Sequence, residues 1–255
     1  MSGLSERAEL AAPSPAILAE GLGKSFGTVH AVHNLSFALQ PGEVVALLGP
    51  NGAGKTTTLK LLLGLLKPTT GRCTVLGRDS THAARAVKAT LGYSPDEPAF
   101  HTFLSGRETL RFVCAIRGID PERALVRLAP LIALLDLDAQ LDVFTSNYSH
   151  GTKKKLALLA ALAHDPRVLL LDEPTNGLDP PTAHRVRELL LARAQAGVAI
   201  LISTHLLDMA DRLASRVLVL DQGHLIAEGS PAAVRAQAGV PPEASLEDAF
   251  LQLVK

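Results

Sequence analysis

The sequence predicts an α/β fold with a mostly parallel β-sheet core, an antiparallel β region towards the N-terminus and an inserted α-helical subdomain. Strand-like and helical segments alternate over residues 165–220, and this alternation favours a parallel sheet. A glycine-rich segment separates an apolar strand from a helix near residue 50. Three successive helical segments with no strand between them precede residue 165, which indicates an insertion.

The predicted strands are short apolar runs bounded by turn residues. They cover Ile17–Glu20, Leu35–Leu39, Glu43–Leu48, Thr74–Leu76, Leu91–Tyr93, Val168–Leu171, Val198–Ser203 and Arg216–Leu220, with a hairpin at Asp221–Glu228. The predicted helices cover Lys55–Leu66, Ser105–Arg117, Pro121–Leu135, Gly151–His164, Pro181–Ala196, Leu206–Leu213 and Leu246–Val254.

We expect a disordered N-terminal tail over residues 1–14 and one domain over residues 15–255. Within that domain the sheet core would take residues 15–94 and 165–230, and the helical subdomain residues 95–164. A C-terminal helical segment would follow at residues 231–255.

Composition narrows the classes of partner and location. The 25 basic and 25 acidic residues give a formal net charge of zero, whereas a nucleic-acid-binding chain usually carries a basic excess, so we expect no nucleic-acid partner. No apolar run approaches the ~18–20 residues that span a bilayer, and the N-terminus lacks the apolar centre of a secretory signal. Cys73 and Cys114 show no disulfide or metal spacing. These features predict a cytoplasmic protein.

The segment Gly49–Thr56 matches the phosphate-loop pattern G-x4-G-K-[ST] in full. Its glycines let backbone N–H groups face a triphosphate, and the following helix presents its positive N-terminal end. A chance glycine turn is the simpler interpretation, but the strand before the loop and the helix after it favour phosphate binding. The residues expected to contact ATP are Asn51, Gly52, Ala53, Gly54, Lys55, Thr56 and Thr57.

Two adjacent carboxylates, Asp172 and Glu173, follow an apolar strand. An acidic pair in this position often only starts a loop, yet ligands of parallel sheets bind at this end of the strands. Beside the phosphate loop, Asp172 and Thr56 are expected to hold Mg²⁺, and Glu173 to polarise the attacking water. His205, at the end of the next strand, is expected on the same sheet edge as Glu173, within reach of the γ-phosphate.

From about Ile17 onward the chain resembles the ATP-binding cassette (ABC) ATPases, which implies a P-loop NTPase (RecA-like) core. Asp172–Pro180 is similar to the Walker B strand of that family and its D-loop, which includes Asp179. By the same resemblance His205 is the switch histidine. Phe26 matches the aromatic residue that stacks on adenine, with Val32 beside the ring, although core packing is the simpler interpretation for an isolated aromatic residue.

The signature of the family, usually LSGGQ, is similar here to Tyr148–Thr152. The resemblance implies that Ser149, His150 and Gly151 meet the γ-phosphate bound by a second subunit. His150 replaces a glycine. The lysines that follow, Lys153 to Lys155, are expected to form a solvated helix face.

A larger departure lies at Asp96, which occupies the family's usual Gln position, in the Q-loop, after a short strand. A carboxylate there can still ligate Mg²⁺ or its water, so Asp96 joins Thr56 and Asp172 as a candidate metal ligand. It also adds negative charge beside the triphosphate, which would weaken ATP affinity.

The resemblance implies an ATP-binding and ATP-hydrolysing subunit that powers transport, most similar to bacterial exporter-type cassettes. Its expected partners are an integral membrane permease on a separate chain and a second ATP-binding subunit, as a homodimer or heterodimer. It would then lie peripherally on the inner face of the cell membrane. Two alternatives remain open: a soluble ABC ATPase acting on ribosomes or DNA, and a non-hydrolysing ATP-dependent regulator.

Overall fold

The computed structural model describes residues 14–254. Apart from Ser14, the predicted N-terminal tail lies outside the described residues. Within residues 14–254 no helix combines the length and apolar character needed to cross a membrane.

The strands in chain order are β1 (Ile17–Phe26), β2 (Val29–Leu39), β3 (Val44–Leu48), β4 (Thr70–Val75), β5 (Arg78–Asp79), β6 (Leu91–Ser94), β7 (Val168–Asp172), β8 (Ala199–Thr204), β9 (Arg216–Asp221) and β10 (His224–Gly229). The helices are α1 (Lys55–Leu62), α2 (Ala84–Thr90), α3 (Gly106–Ile116), α4 (Pro121–Leu134), α5 (His150–Leu162), α6 (Pro180–Gln195), α7 (Leu207–Leu213), α8 (Pro231–Gln237) and α9 (Leu246–Leu253). Two short 3-10 turns, Asp138–Gln140 and Thr145–Asn147, precede α5.

The larger sheet of the described chain has the strand order β10-β9-β3-β8-β7-β6. Its strands are parallel except for β10, which pairs antiparallel with β9. Strands β3, β7 and β8 are buried along their whole length, as expected for parallel strands covered on both faces. Leu48 pairs with Thr204 and Asp172 with Ser203, so the carboxyl ends of these strands meet at one edge.

The smaller sheet is antiparallel, with the order β2-β1-β4-β5. The predictions of short strands at Ile17–Glu20 and Leu35–Leu39 were too conservative, since β1 and β2 run much further. Gly21 and Gly23 lie within β1, and the strands stay paired across register shifts between Ala19 and Ser25. Bulges of this kind absorb residues that do not fit a regular ladder.

Helices α3, α4 and α5 follow β6 and precede β7, as the sequence predicts. Helix α5 lies directly on the edge strand β6, because Gly92 has no side chain: a Cβ there would collide with the Ala161 carbonyl. Leu110 and Leu159 of these helices share one buried cluster with Leu171 of the sheet. The sequence analysis did not predict α2, which buries only Val87 and therefore lacks a helical apolar stripe. The division into core and helical subdomain stays a prediction.

Candidate functional site

The phosphate loop connects the end of β3 to the start of α1. Gly52 and Gly54 adopt φ values of 85° and 101°, a region that strongly favours glycine. At Gly54 there is also no space for a side chain, because a Cβ would collide with the carbonyl oxygen of Ala31. These two glycines let the backbone wrap closely around the N-terminus of α1.

The side chain of Lys55 folds back inside the loop. Its Nζ donates hydrogen bonds to the carbonyls of Gly49 (2.7 Å) and Pro50 (3.1 Å). Burial lowers the pKa of Lys55, and the nearby charges of Glu173 and Asp172 oppose that shift. The loop thus holds a partly desolvated cation where a phosphate would lie.

Asp172 ends β7 and is buried. The Thr56 hydroxyl donates to its Oδ2 (3.0 Å), and the Ser203 hydroxyl donates to its Oδ1. This contact joins two residues 116 positions apart, as the two motifs predict. A hydroxyl and a carboxylate at the mouth of the loop are the hard oxygen donors that Mg²⁺ prefers, so these residues fit that ion.

Glu173 is buried, with its carboxylate fully engaged. The Thr204 hydroxyl donates to Oε2 (2.9 Å), and the backbone N–H of His205 donates to Oε1 (2.9 Å). The Nδ1 atom of His205 also lies 2.7 Å from Oε1. The predicted neighbourhood of Glu173 and His205 is therefore present, because β7 and β8 are adjacent and end together.

The phosphate loop and the two carboxylates line one cavity of about 190 Å³. It is lined by Ala31, Asn51, Gly52, Ala53, Gly54, Lys55, Thr56, Thr57, Asp96, Asp172 and Glu173. All the predicted phosphate-loop and metal residues are in this set. The sequence analysis missed Ala31. Its methyl side chain carries no chemical group that would mark it as a site residue, and only its position beside the loop places it in the lining.

Residues 32–176 match the ABC transporter family. The chain belongs to this family. The Nod factor export ATP-binding protein I of Paraburkholderia xenovorans (strain LB400) is 38% identical over 224 residues, covering 88% of this chain and 74% of that protein. The probable multidrug ABC transporter ATP-binding protein YbhF of Escherichia coli (strain K12) is 34% identical over 240 residues, covering 93% of this chain and 41% of that protein.

A solved structure described as the ATP-binding subunit of an ABC transporter superposes with a TM-score of 0.88 at 30% identity, covering 94% of this chain and all of that one. The predicted P-loop NTPase fold with its antiparallel β region is confirmed. The chain is an ATP-binding, ATP-hydrolysing subunit of the ABC transporter type.

The predicted signature segment lies at the start of α5. Ser149 caps the N-terminus of this helix, and its hydroxyl accepts the N–H of Thr152 (3.2 Å). His150 lies against Gly177 in the predicted D-loop of the same chain, since a Cβ at Gly177 would be 2.7 Å from its imidazole. Among the described residues, Ser149, His150 and Gly151 are absent from the cavity lining.

Four further predicted residues also lie outside the lining, and the first of them is His205, which contacts the cavity residue Glu173. Asp179 caps α6 by accepting the N–H (2.9 Å) and hydroxyl (2.8 Å) of Thr182, and these hydrogen bonds lower the pKa of its carboxyl. Phe26 is half exposed at the end of β1, with Lys24 Nζ 5.1 Å from its ring centre. Val32 is buried in the core. Adenine stacking by Phe26 beside Val32 stays a prediction.

One expectation about the signature helix is wrong. Lys153 and Lys155 are half-buried, but Lys154 is only 2% exposed and does not belong to a solvated face. Its Nζ lies 2.6 Å from Asp96 Oδ1 and also donates to the carbonyl of Glu173. Burial, followed by the charges of Asp172 and Asp96, raises the pKa of neighbouring Tyr93 to about 12. The role of Asp96 as a metal ligand stays a prediction.

Proposed function

We propose that this chain is the ATPase subunit of an exporter. It would lie on the inner face of the cell membrane, receive a separate integral membrane permease, and close with a second ATP-binding subunit around ATP and Mg²⁺. The observation that carries the proposal is the division of the site: the phosphate loop and both carboxylates line one cavity, whereas the predicted signature residues Ser149, His150 and Gly151 are absent from its lining among the described residues.

The split supports a second subunit. Ser149 and Gly151 stand at the N-terminus of the thirteen-residue helix α5, where free N–H groups and the helix dipole attract an anion. A signature segment that does not contact its own cavity can serve the cavity of a partner. The same segment of the partner would then complete this one.

In the proposed reaction, Lys55 and the loop N–H groups bind the phosphates. Glu173 orients a water molecule and accepts its proton as the oxygen attacks the γ-phosphorus, and the bond to the ADP oxygen breaks. His205 and Thr204 hold the Glu173 carboxylate in place. Bound Mg²⁺ would supply charge neutralisation at the phosphates, and Thr56 with Asp172 would hold it.

A group of exposed aromatic residues supports the permease contact. His101 stacks on Phe103, with ring centres 5.5 Å apart, and meets Phe112 edge-on at 5.3 Å. Phe103 is 71% exposed. An exposed apolar cluster of this kind is typical of an interaction site. We call these three residues the aromatic face; it follows Asp96 in the chain and includes Phe112 in the middle of α3. The names of the two sequence relatives, an export protein and a probable multidrug transporter, support the direction of transport.

The proposal predicts that an integral membrane protein is encoded beside this chain, and the test is co-purification with that protein. We expect a stable complex whose ATP turnover exceeds that of the isolated chain. Phe103→Asp combined with Phe112→Asp should dissociate the complex, because two charges would have to be buried. Leu251→Asp, at an exposed leucine of α9, is the matched control and should leave it intact. Equal retention of both variants would contradict the aromatic face as the permease contact.

A further inference from the structure

A buried lysine connects the signature helix to the loop that carries the candidate base. The Lys154 ammonium lies on α5 and meets two oxygens, Asp96 Oδ1 at 2.6 Å and the backbone carbonyl of Glu173. A buried ammonium is costly unless it is paired and hydrogen-bonded, so its environment must compensate for the lost hydration.

The backbone of Glu173 needs support. Its φ is 48°, in the left-handed region that is strained for a residue with a side chain. Its N–H donates to the Ser203 carbonyl (2.8 Å), and its carbonyl accepts from both Lys154 and the Asn176 N–H (3.2 Å). With both neighbouring peptide groups held, the side chain can leave the main chain in one direction, towards Thr204 and His205.

Asp96 sits on the other side of the ammonium. Its side chain is 40% exposed, and it lines the nucleotide cavity together with Glu173. It is the carboxylate that the structure pairs with Lys154. The Lys154 ammonium thus connects Asp96, at the nucleotide cavity, to the main chain of the candidate base Glu173.

We propose that Lys154 is a positioning residue for ATP hydrolysis. Its ammonium holds the Glu173 carbonyl and thereby the direction of the Glu173 carboxylate, and Asp96 is the counter-ion that keeps the ammonium in place. This inference rests on the proposed role of Glu173 as the base. Asp96 then acts through Lys154 and not as a ligand of the metal ion.

A merely structural ion pair is the competing explanation, because a buried pair often adds little to function. The two explanations differ in what they alter. Loss of a structural pair changes stability and every kinetic constant together, whereas loss of a positioning contact lowers kcat and leaves ATP binding intact.

The first experiment replaces the ammonium. Lys154→Met keeps most of the unbranched side chain and removes the charge and the donor, and Lys154→Gln is of similar length to Met and keeps an N–H donor for the carbonyl. We expect Lys154→Met to lower kcat at least tenfold, with the KM for ATP and the binding of a fluorescent ATP analogue changed less than twofold. Lys154→Gln should return kcat to within about threefold of wild type. Lys153→Met, one residue earlier on α5, is the matched control and should behave as wild type.

The second experiment tests the counter-ion. Asp96→Asn should lower kcat without altering the Mg²⁺ concentration for half-maximal turnover. The double variant Asp96→Asn with Lys154→Met should have the kcat of Lys154→Met alone. Because Asp96 acts only through the Lys154 ammonium, its loss has no further effect once that ammonium is absent. Thermal unfolding of every variant monitors folding; if Lys154→Met does not fold, the Lys154→Gln and Asp96→Asn results decide.

Several results would overturn the proposal. A folded Lys154→Met with kcat within twofold of wild type would do so, as would equal defects in Lys154→Met and Lys154→Gln. A tenfold shift in Mg²⁺ dependence for Asp96→Asn, or a double variant with multiplied defects, would give Asp96 a separate role at the metal. Failure of the base assignment is seen separately, as unchanged turnover in Glu173→Gln, and failure of the export role leaves these measurements on the isolated ATPase unaffected.

Discussion

The two regions that ABC chemistry requires are prepared to different degrees in this chain. At the edge where β3, β7 and β8 end, each functional side chain already has its partners: Lys55 in the loop, Thr56 on Asp172, His205 on Glu173. At the start of α5, the hydrogen bonds of the Ser149 hydroxyl within the described residues are both to Thr152 of its own first turn. The first region is preorganised within the chain, whereas the second contributes no residue to the lining of the nucleotide cavity in the described part of the chain.

The largest expected effect lies in the preorganised region. Glu173→Gln keeps the size of the side chain and removes its basicity, so ATP turnover should fall by about 10²–10⁴-fold. Binding of a fluorescent ATP analogue should persist, because Lys55 and the loop are untouched. Steady-state turnover measured beside equilibrium binding checks this, and turnover close to wild type would assign the base to another residue.

A smaller effect is expected in the other region. Ser149→Ala should lower turnover by about tenfold or more, as loss of an anion donor does, with first-encounter ATP binding preserved. The substitution also removes a helix cap worth about 1 kcal/mol. Ser230→Ala, which removes the cap of α8, is the matched control and should not affect turnover. Parallel loss of binding and turnover in Ser149→Ala would place the serine at its own chain's nucleotide.

The smallest effect concerns His164, which lies where the signature helix α5 meets the sheet. His164 follows α5, and its Nε2 lies 3.0 Å from the carbonyl of Leu91 on β6 and 3.1 Å from Arg117. Burial, reinforced by the charge of Arg117, lowers the pKa of His164 from 6.5 to about 4. The unfolded chain therefore binds the proton more readily than the folded one between these values. Stability from the neutral imidazole is complete above pH 6.5 and decreases as the pH falls towards 4.

Replacing His164 by Gln removes that titration. Between pH 7 and 5, the wild-type free energy of unfolding should fall by about 1 kcal/mol more than that of the variant, which is roughly half of what the full shift would give, because solvent screens the partly exposed ring. Urea unfolding at several pH values measures the difference. Identical pH profiles would mean that His164 titrates normally in the folded protein.

The sequence predicts the preorganised region well because its parts are contiguous motifs at the ends of buried strands. Thr56 and Asp172 meet as expected, since parallel strands place their carboxyl ends together. The burial of Lys154 was not predictable from its own surroundings, a run of three lysines. It depends on Asp96, 58 residues earlier, and on the carbonyl of Glu173, so only the tertiary arrangement identifies it.

The lengths of β1 and β2 were underestimated for a related reason. Glycine lowers the local propensity to form a strand, but hydrogen bonding to a neighbouring strand decides whether the strand continues past the glycine. Gly21 adopts a φ of 56° and the ladder continues past it. Long-range hydrogen bonding thus overrides a local break that the sequence alone would favour.

The close backbone contact between α5 and Gly92 has a consequence for the position of the helix. At that point the helix backbone touches the edge strand with no side chain between them, so a side chain at position 92 would collide with the Ala161 carbonyl and push the helix away from the strand. Ser149 lies about 18 Å along the helix from Ala161, at 1.5 Å per residue. A change of about 3° in the direction of α5 would therefore move the capping serine by about 1 Å, which is enough to make or break a hydrogen bond. The absence of a side chain at Gly92 thus contributes to the position of Ser149, although the two residues are not in contact.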